Sequence, residues 1–242
     1  MRAFVVILTL VFTFACGFGA SASDQFLLLR LDGVHVKWGV PQLGTSARVR
    51  YAFVTSPMTF PGAINCEAME PPDALLEASQ IDRTHFRREV AAAFALWESA
   101  ANIGFVEVSD PTSADILIGA QHNPRGFAFT NVDYVRAPGA STRPIEKSLI
   151  CLNPRKRWKT AFDGNMDVYD IRYTIAHEVG HAIGLDHPSP VGQLMSFRYG
   201  EDFRSLRSGD VSGAVALYGK RGAPVVAATP QTSASTPDLA LK

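Results

Sequence analysis

His177-Glu178-Val179-Gly180-His181-Ala182-Ile183-Gly184-Leu185-Asp186-His187 decides how the rest of this chain is read. His177 and His181 are four apart, so a helix through them projects both from one face, where they can grip one ion. Glu178 stands beside the first histidine, placed to reach a water at the metal rather than the metal itself. Gly184 can adopt positive φ, which lets the helix stop and the chain turn sharply. That turn can bring His187 round as a third ligand. Three protein ligands leave a tetrahedral zinc one open position, the mark of a catalytic rather than a structural site. The plain alternative is a polar helix end with scattered histidines. It does not explain why three of the chain's six histidines fall in this one short stretch.

Outward from this stretch, helical and extended patterns alternate. Asp82 or Thr84 can cap a helix running to about Ser99. Phe86, Val90, Ala93, Phe94 and Trp97 recur at three- and four-residue steps and form its apolar face. Strands are predicted at 103–108, 116–120, 126–131 and 148–152. The site helix is expected from Asp167 or Tyr169 to Ile183, with Asp167 capping, and a last helix over about 208–218. Residues 56–77, rich in Pro, Met and Gly, read as a loop with one short helical turn. The expected fold class is α+β, an α/β sandwich. A mixed, mainly parallel twisted sheet has an antiparallel edge strand and two long helices packed on it, followed by a small C-terminal subdomain.

The ends carry a different signal. Arg2 followed by the apolar run 3–14 and the small residues Ala20-Ser21-Ala22 reads as an export signal cleaved near Ser23. An uncut membrane anchor is the alternative, though the run is shorter than the ~20 residues a bilayer span prefers. The expected organisation is a signal peptide at 1–22, a short lead at 23–34, one catalytic domain at 35–220 and a disordered tail at 221–242. The expected location is outside the cytoplasm, secreted or periplasmic. Signal removal also removes Cys16, leaving Cys66 and Cys151 as an even pair in an exported chain. One disulfide is the default reading, with two buried thiols as the other. Acidic and basic residues balance at 23 each, which gives no reason to expect nucleic acid or an anionic membrane as partner. No stable membrane association is expected once the signal is gone, and the mature chain is expected to be a monomer.

The eleven-residue stretch resembles the signature of the metzincin metallopeptidases, and Gly192-Gln193-Leu194-Met195-Ser196 supplies a candidate for their methionine turn. The short step from His187 to Met195 is similar to the matrixin branch. So are Val36-Lys37-Trp38 with Val49–Phe53, the helix segment Val90–Trp97, Ala114–Ile118, and the close Leu217-Tyr218-Gly219. The resemblance implies one catalytic Zn²⁺ on His177, His181 and His187, Glu178 as general base, and Met195 as an apolar floor below the metal. Asp210 matches the family acid that hydrogen-bonds the methionine turn; it could equally be a first-turn acid favoured by the helix dipole. The family lays an extended peptide along the edge strand, here Gly126-Phe127-Ala128-Phe129, so Ala128 and Phe129 are expected to bind substrate main chain. Tyr173 and Tyr199 match positions lining a side-chain pocket, and a tyrosine at 173 would make it shallow; the plain reading puts Tyr173 in the core.

The family pattern also breaks. Thr130 and Cys151 stand where histidines of a second, structural zinc would be, so one zinc is expected and calcium is left open. Too few residues separate the signal from the domain to hold an inhibitory propeptide. The chain is thus expected to be active from birth or restrained by an inhibitor or partner. The implied function is a secreted zinc endopeptidase, broad or restricted to one target. The rivals are a catalytically silent exported peptide-binding protein that keeps the fold and a metal carrier. The intact Glu178 argues against a pure binding module, which needs no base.

Overall fold

The structure is a computed structural model that describes residues 25–137, 139–188 and 191–222. The expected export signal and nearly all of the expected tail lie outside these residues. In chain order the strands are β1 Leu27–Leu28, β2 Arg30–Leu31, β3 Val34–Lys37, β4 Ala47–Phe53, β5 Met58–Thr59 and β6 Ala68–Glu70. Helices α1 Asp73–Ser79 and α2 Arg83–Ala100 follow, then β7 Ile103–Glu107, β8 Ile116–Gln121, β9 Ala128–Tyr134, β10 Thr142–Leu152, β11 Trp158–Lys159 and β12 Tyr169–Asp170. Helix α3 Ile171–Ala182, strand β13 Leu185–Asp186 and helix α4 Ser208–Tyr218 complete the domain.

The main sheet is mixed. β7, β4, β8 and β10 run parallel as neighbours, and β9 is hydrogen-bonded antiparallel to β10 alone among the described strands. This is the α+β architecture expected, with an antiparallel edge. Period-two alternation sorts the side chains: Ile116, Ile118 and Ala120 of β8 face the helices, whereas Leu117 faces the other way. The helix side holds the main core, where Phe86, Val90, Phe94 and Trp97 of α2 meet Ile175, Ala176 and Val179 of α3. Each of these large side chains contributes about 1.5–3 kcal/mol by leaving water. On the far face Ala52, Val54, Leu117, Leu149 and Cys151 are covered by Cys66 of the loop between β5 and β6 and by Met69 of β6. Cys66 and Cys151 form a disulfide across that second core.

Helix α2 starts as the sequence suggests, with the Asp82 carboxylate accepting the His85 N–H at 2.8 Å. Several expectations need correction. The site helix is capped by Asp170, not Asp167: the Asp170 carboxylate accepts the Tyr173 N–H at 2.9 Å and is clamped by Arg204. Asp167 sits in the preceding turn, its own N–H bonded to Asn165. The pairing of β11 with β12 keeps Tyr169 and Asp170 extended, so the helix starts after Asp170. Second, residues 56–77 are more than a loop with one helical turn: the helical turn is α1, but strands precede it. They hold the β5–β6 hairpin and the start of α1, because β6 finds its partner in β8, about fifty residues away. Third, the edge strand begins at Ala128 rather than Gly126 and runs on to Tyr134, since Gly126 turns at φ +54°. Residues within the short lead also take part in the fold, as β1 pairs with β13 and β2 with β3.

Gly184 turns the chain after α3 at φ +106°. A Cβ there would lie 2.2 Å from the Val36 carbonyl oxygen, and backbone cannot yield to it. Gly184→Ala is therefore expected to cost about 2–4 kcal/mol through the left-handed backbone and the clash together. A drop in the urea midpoint with an unchanged slope checks this; an unchanged midpoint refutes it.

Candidate metal centre

Helix α3 places His177 and His181 one turn apart on the side facing β9. The turn at Gly184 and strand β13 then return His187 to them. The three Nε2 atoms form a triangle with sides of 3.0, 3.1 and 3.2 Å. The opposite ring nitrogens are committed. His177 Nδ1 lies 2.7 Å from the Leu194 carbonyl oxygen and His181 Nδ1 lies 2.9 Å from that of Leu185. A carbonyl only accepts, so both Nδ1 atoms carry the proton and both Nε2 atoms present lone pairs inward. Burial holds all three imidazoles below their usual range, and the charges of neighbouring rings add to this for His181 and His187. Neutral rings with converging lone pairs repel one another unless a cation lies between them. A nitrogen triangle of this size suits an ion about 2.0–2.1 Å from each corner, the distance zinc takes from imidazole. The donor set therefore fits zinc, and it is the one group of three such side chains found among the described residues.

Glu178 is turned toward β9. Its Oε2 accepts the Thr130 hydroxyl at 2.7 Å, and the same hydroxyl lies 3.0 Å from the Glu178 carbonyl oxygen. Burial pushes the carboxyl up to about 7, against the opposing pull of the Thr130 hydrogen bond. Below the site, Met195 is buried and packs against Gly180, where a Cβ would meet its sulfur at 2.1 Å. Glycine is required here for close approach of the helix to the methionine. Asp210 takes both parts left open by the sequence: its carboxylate accepts the N–H groups of Leu194 and Met195, each at 2.9 Å, and, as the first-turn acid of α4, that of Arg207 at 2.8 Å. Since Leu194 supplies the carbonyl that orients His177, the start of α4 holds the first histidine through the methionine turn.

A cleft of about 690 Å³ runs along β9 past Glu178. The expected substrate residues Ala128, Phe129, Tyr173 and Tyr199 all line it. Tyr173 is at once core and wall, with only 4% of its surface exposed. At this end the rings of Phe127, Tyr169 and Tyr199 stack at centroid distances of 3.6 and 4.1 Å, and Tyr173 meets Tyr199 edge-on. Tyr199 donates its hydroxyl to Glu201 at 2.7 Å and accepts the Asp170 N–H at 3.0 Å. Sequence reasoning gave Thr130 no role toward Glu178 and missed both the stack of Phe127 on Tyr169 and the hold of Glu201 on Tyr199. The edge strand, Tyr169 and Glu201 lie on separate segments, and no local spacing links them. The signal that could have found Thr130 is the two-residue alternation of the edge strand, but that requires knowing which strand faces the helix.

The Matrixin family model of the M10 peptidases matches residues 74–219. Among curated proteins, the chain is 29% identical over 160 residues to the pig (Sus scrofa) interstitial collagenase, covering 63% of this chain and 32% of the collagenase. It is 32% identical over 142 residues to metalloendoproteinase 1-MMP of Arabidopsis thaliana, covering 57% and 38%. It is 27% identical over 147 residues to the hatching enzyme of Paracentrotus lividus, covering 58% and 24%. The chain thus spans between 24% and 38% of the length of these relatives.

Proposed function

This chain belongs to the matrixin family, and from that premise we propose that it is an exported zinc endopeptidase. The observation that carries the reading is the triangle of inward-facing Nε2 atoms with the Glu178 carboxylate beside it on one cleft wall. His177, His181 and His187 would hold the ion. When bound, zinc supplies Lewis acidity, which acidifies a water and polarises the scissile carbonyl.

The chain's own residues do the rest. The outer edge of β9 offers main-chain donors and acceptors to an extended peptide, which adds to the sheet as one more strand. Glu178 takes a proton from the attacking water and returns it to the leaving amine. Thr130 holds Oε2 of that carboxylate, so Oε1 is the atom free to move the proton. Tyr173, Tyr199 and the Phe127–Tyr169 stack close one end of the cleft, which favours medium apolar side chains over long ones there. Residues 1–22 act as the export signal and 35–220 as the catalytic domain, with β1 and β2 of the lead paired onto it, working as a monomer. Among the described residues no helix is long and apolar enough to cross a membrane.

The test is to purify the chain from about Ser23, measure zinc by elemental analysis, and assay a quenched peptide library with and without chelator. One zinc per chain and chelator-sensitive cleavage are expected. Zinc-loaded protein that cleaves nothing would leave the silent peptide-binding protein as the better account. His187→Ala removes a ligand from the less buried corner of the triangle. It is expected to weaken zinc affinity by about 100-fold or more, read by competition with a fluorescent chelator; unchanged affinity would remove His187 from the ligand set.

A further inference from the structure

A strip of basic side chains borders the cleft beyond its aromatic end. Arg125, Arg155 and Arg157 are exposed and Lys156 is half-buried. Arg125 directly precedes Gly126 and Phe127, which line the cleft. The other three follow β10, whose last residue Leu152 pairs with Ala128, the first of β9. Lys156 marks where the two segments meet, with its Nζ 4.5 Å from the centre of the Phe127 ring. Tyr169 stacks on one face of that ring at 3.6 Å, which leaves no room between them, so Lys156 covers the other face. The aromatic stack that closes the cleft is thus capped on its outer side by a cation.

The backbone under the strip is fixed. Asn153 is buried, and its side chain staples the two segments. Its Nδ2 donates to the Gly126 carbonyl oxygen at 2.7 Å, and its Oδ1 accepts the Arg155 N–H at 2.8 Å. The Arg125 N–H donates to Oε1 of the buried Gln121 at 2.5 Å. Acids on the adjoining segments do not neutralise the strip. Glu70 pairs with His122, and Asp163 and Glu201 pair with Lys159. Glu77 of α1 and Asp167, before β12, are exposed and form no ion pair with any of the four. Unpaired like charges gathered on one edge draw in an anion that can lie among them.

We propose that this strip is an exosite for an acidic segment of the substrate polypeptide, the part that leaves the cleft past Phe127. Two observations select that occupant over other anions. The strip continues the line of β9, along which the peptide main chain lies, and it begins at residues that themselves line the cleft. The proposal rests on the endopeptidase reading above. The strip contains none of the reacting groups, so its contribution belongs in KM and not in kcat. Its charges face solvent, so the contribution falls as salt rises.

The experiment uses the zinc-loaded mature chain and one cleavable peptide core, extended at either end by a run of Asp and Glu or by a neutral Ser-Gly run. At low salt the acidic extension at one end is expected to lower KM about tenfold relative to the neutral one, with kcat unchanged; several exposed pairs of modest strength add to that effect. At about 0.5 M salt the gap should close to roughly twofold or less. Arg125→Gln, Arg155→Gln and Arg157→Gln together are expected to close it at low salt, with cleavage of the neutral peptide unchanged. Arg→Lys at the same three positions should keep it. Equal KM for acidic and neutral extensions in wild type, or a gap untouched by the glutamine variant, overturns the exosite and leaves the endopeptidase reading standing. Equal KM together with salt-sensitive binding to phosphatidylglycerol vesicles or to a DNA duplex would give the strip to a membrane or a nucleic acid instead. Zinc-loaded wild type that cleaves none of the peptides overturns both readings.

Discussion

Glu178→Gln is expected to lower kcat/KM for peptide cleavage by about 10²–10⁴-fold while zinc content stays at the wild-type level. The side chain is near-isosteric, and its amide oxygen can still accept the Thr130 hydroxyl that Oε2 accepts now. The three imidazoles and their carbonyl partners are untouched. What is lost is the ability to take up a proton, because a carboxamide has no basic lone pair at neutral pH. Burial raises this carboxyl to about 7, against the pull of the Thr130 hydrogen bond. Stability should not fall, since the variant removes a group whose charge is penalised by burial. The measurement is steady-state cleavage of a quenched peptide alongside elemental zinc analysis. Wild-type turnover in a fully zinc-loaded variant would strip Glu178 of its role, whereas loss of zinc would show that the variant disturbed the site itself.

Replacing Cys66 and Cys151 together by Ala is expected to cost roughly 4–5 kcal/mol of stability in the chain-entropy account. The bridge closes a loop with a sequence separation of 85, so its loss releases a large part of the unfolded chain. For a domain of this size the midpoint of thermal unfolding should fall by about 10–15 °C. The bridge lies in the second core, across the sheet from α2 and α3. Zinc uptake below the new midpoint should therefore be retained. Calorimetry on the oxidised wild type and the double variant decides it: midpoints within two or three degrees would mean that the disulfide does not brace the fold.

The elements legible in the sequence are those whose information is local. Phe86, Val90, Phe94 and Trp97 announce α2 by their spacing, and Asp82 announces its start. The four-residue step from His177 to His181 fixes their common face, and Gly184 marks where the helix must stop. The elements that sequence misassigns depend on partners far along the chain. β6 reads as loop because three residues show no alternation until β8 is found beside them. Asp167 competes with Asp170 as the cap because the carboxylate's fate depends on Arg204, some thirty-five residues onward. The sequence pattern predicts a strand only from Ser148; β10 begins at Thr142, where its first residues pair with β3, more than a hundred residues earlier in the chain.

By itself, the sequence marked the three histidines and the acid that the site brings together, the turn that returns the third histidine and the fold class, because helical period and glycine freedom act within a few residues. Only the tertiary structure decided that Thr130 holds Glu178, that Asp210 steadies the loop behind His177, and which walls bound the cleft at either end. Those contacts join segments separated by tens of residues, and strand register together with packing in two cores selects them. No short window of sequence contains that information.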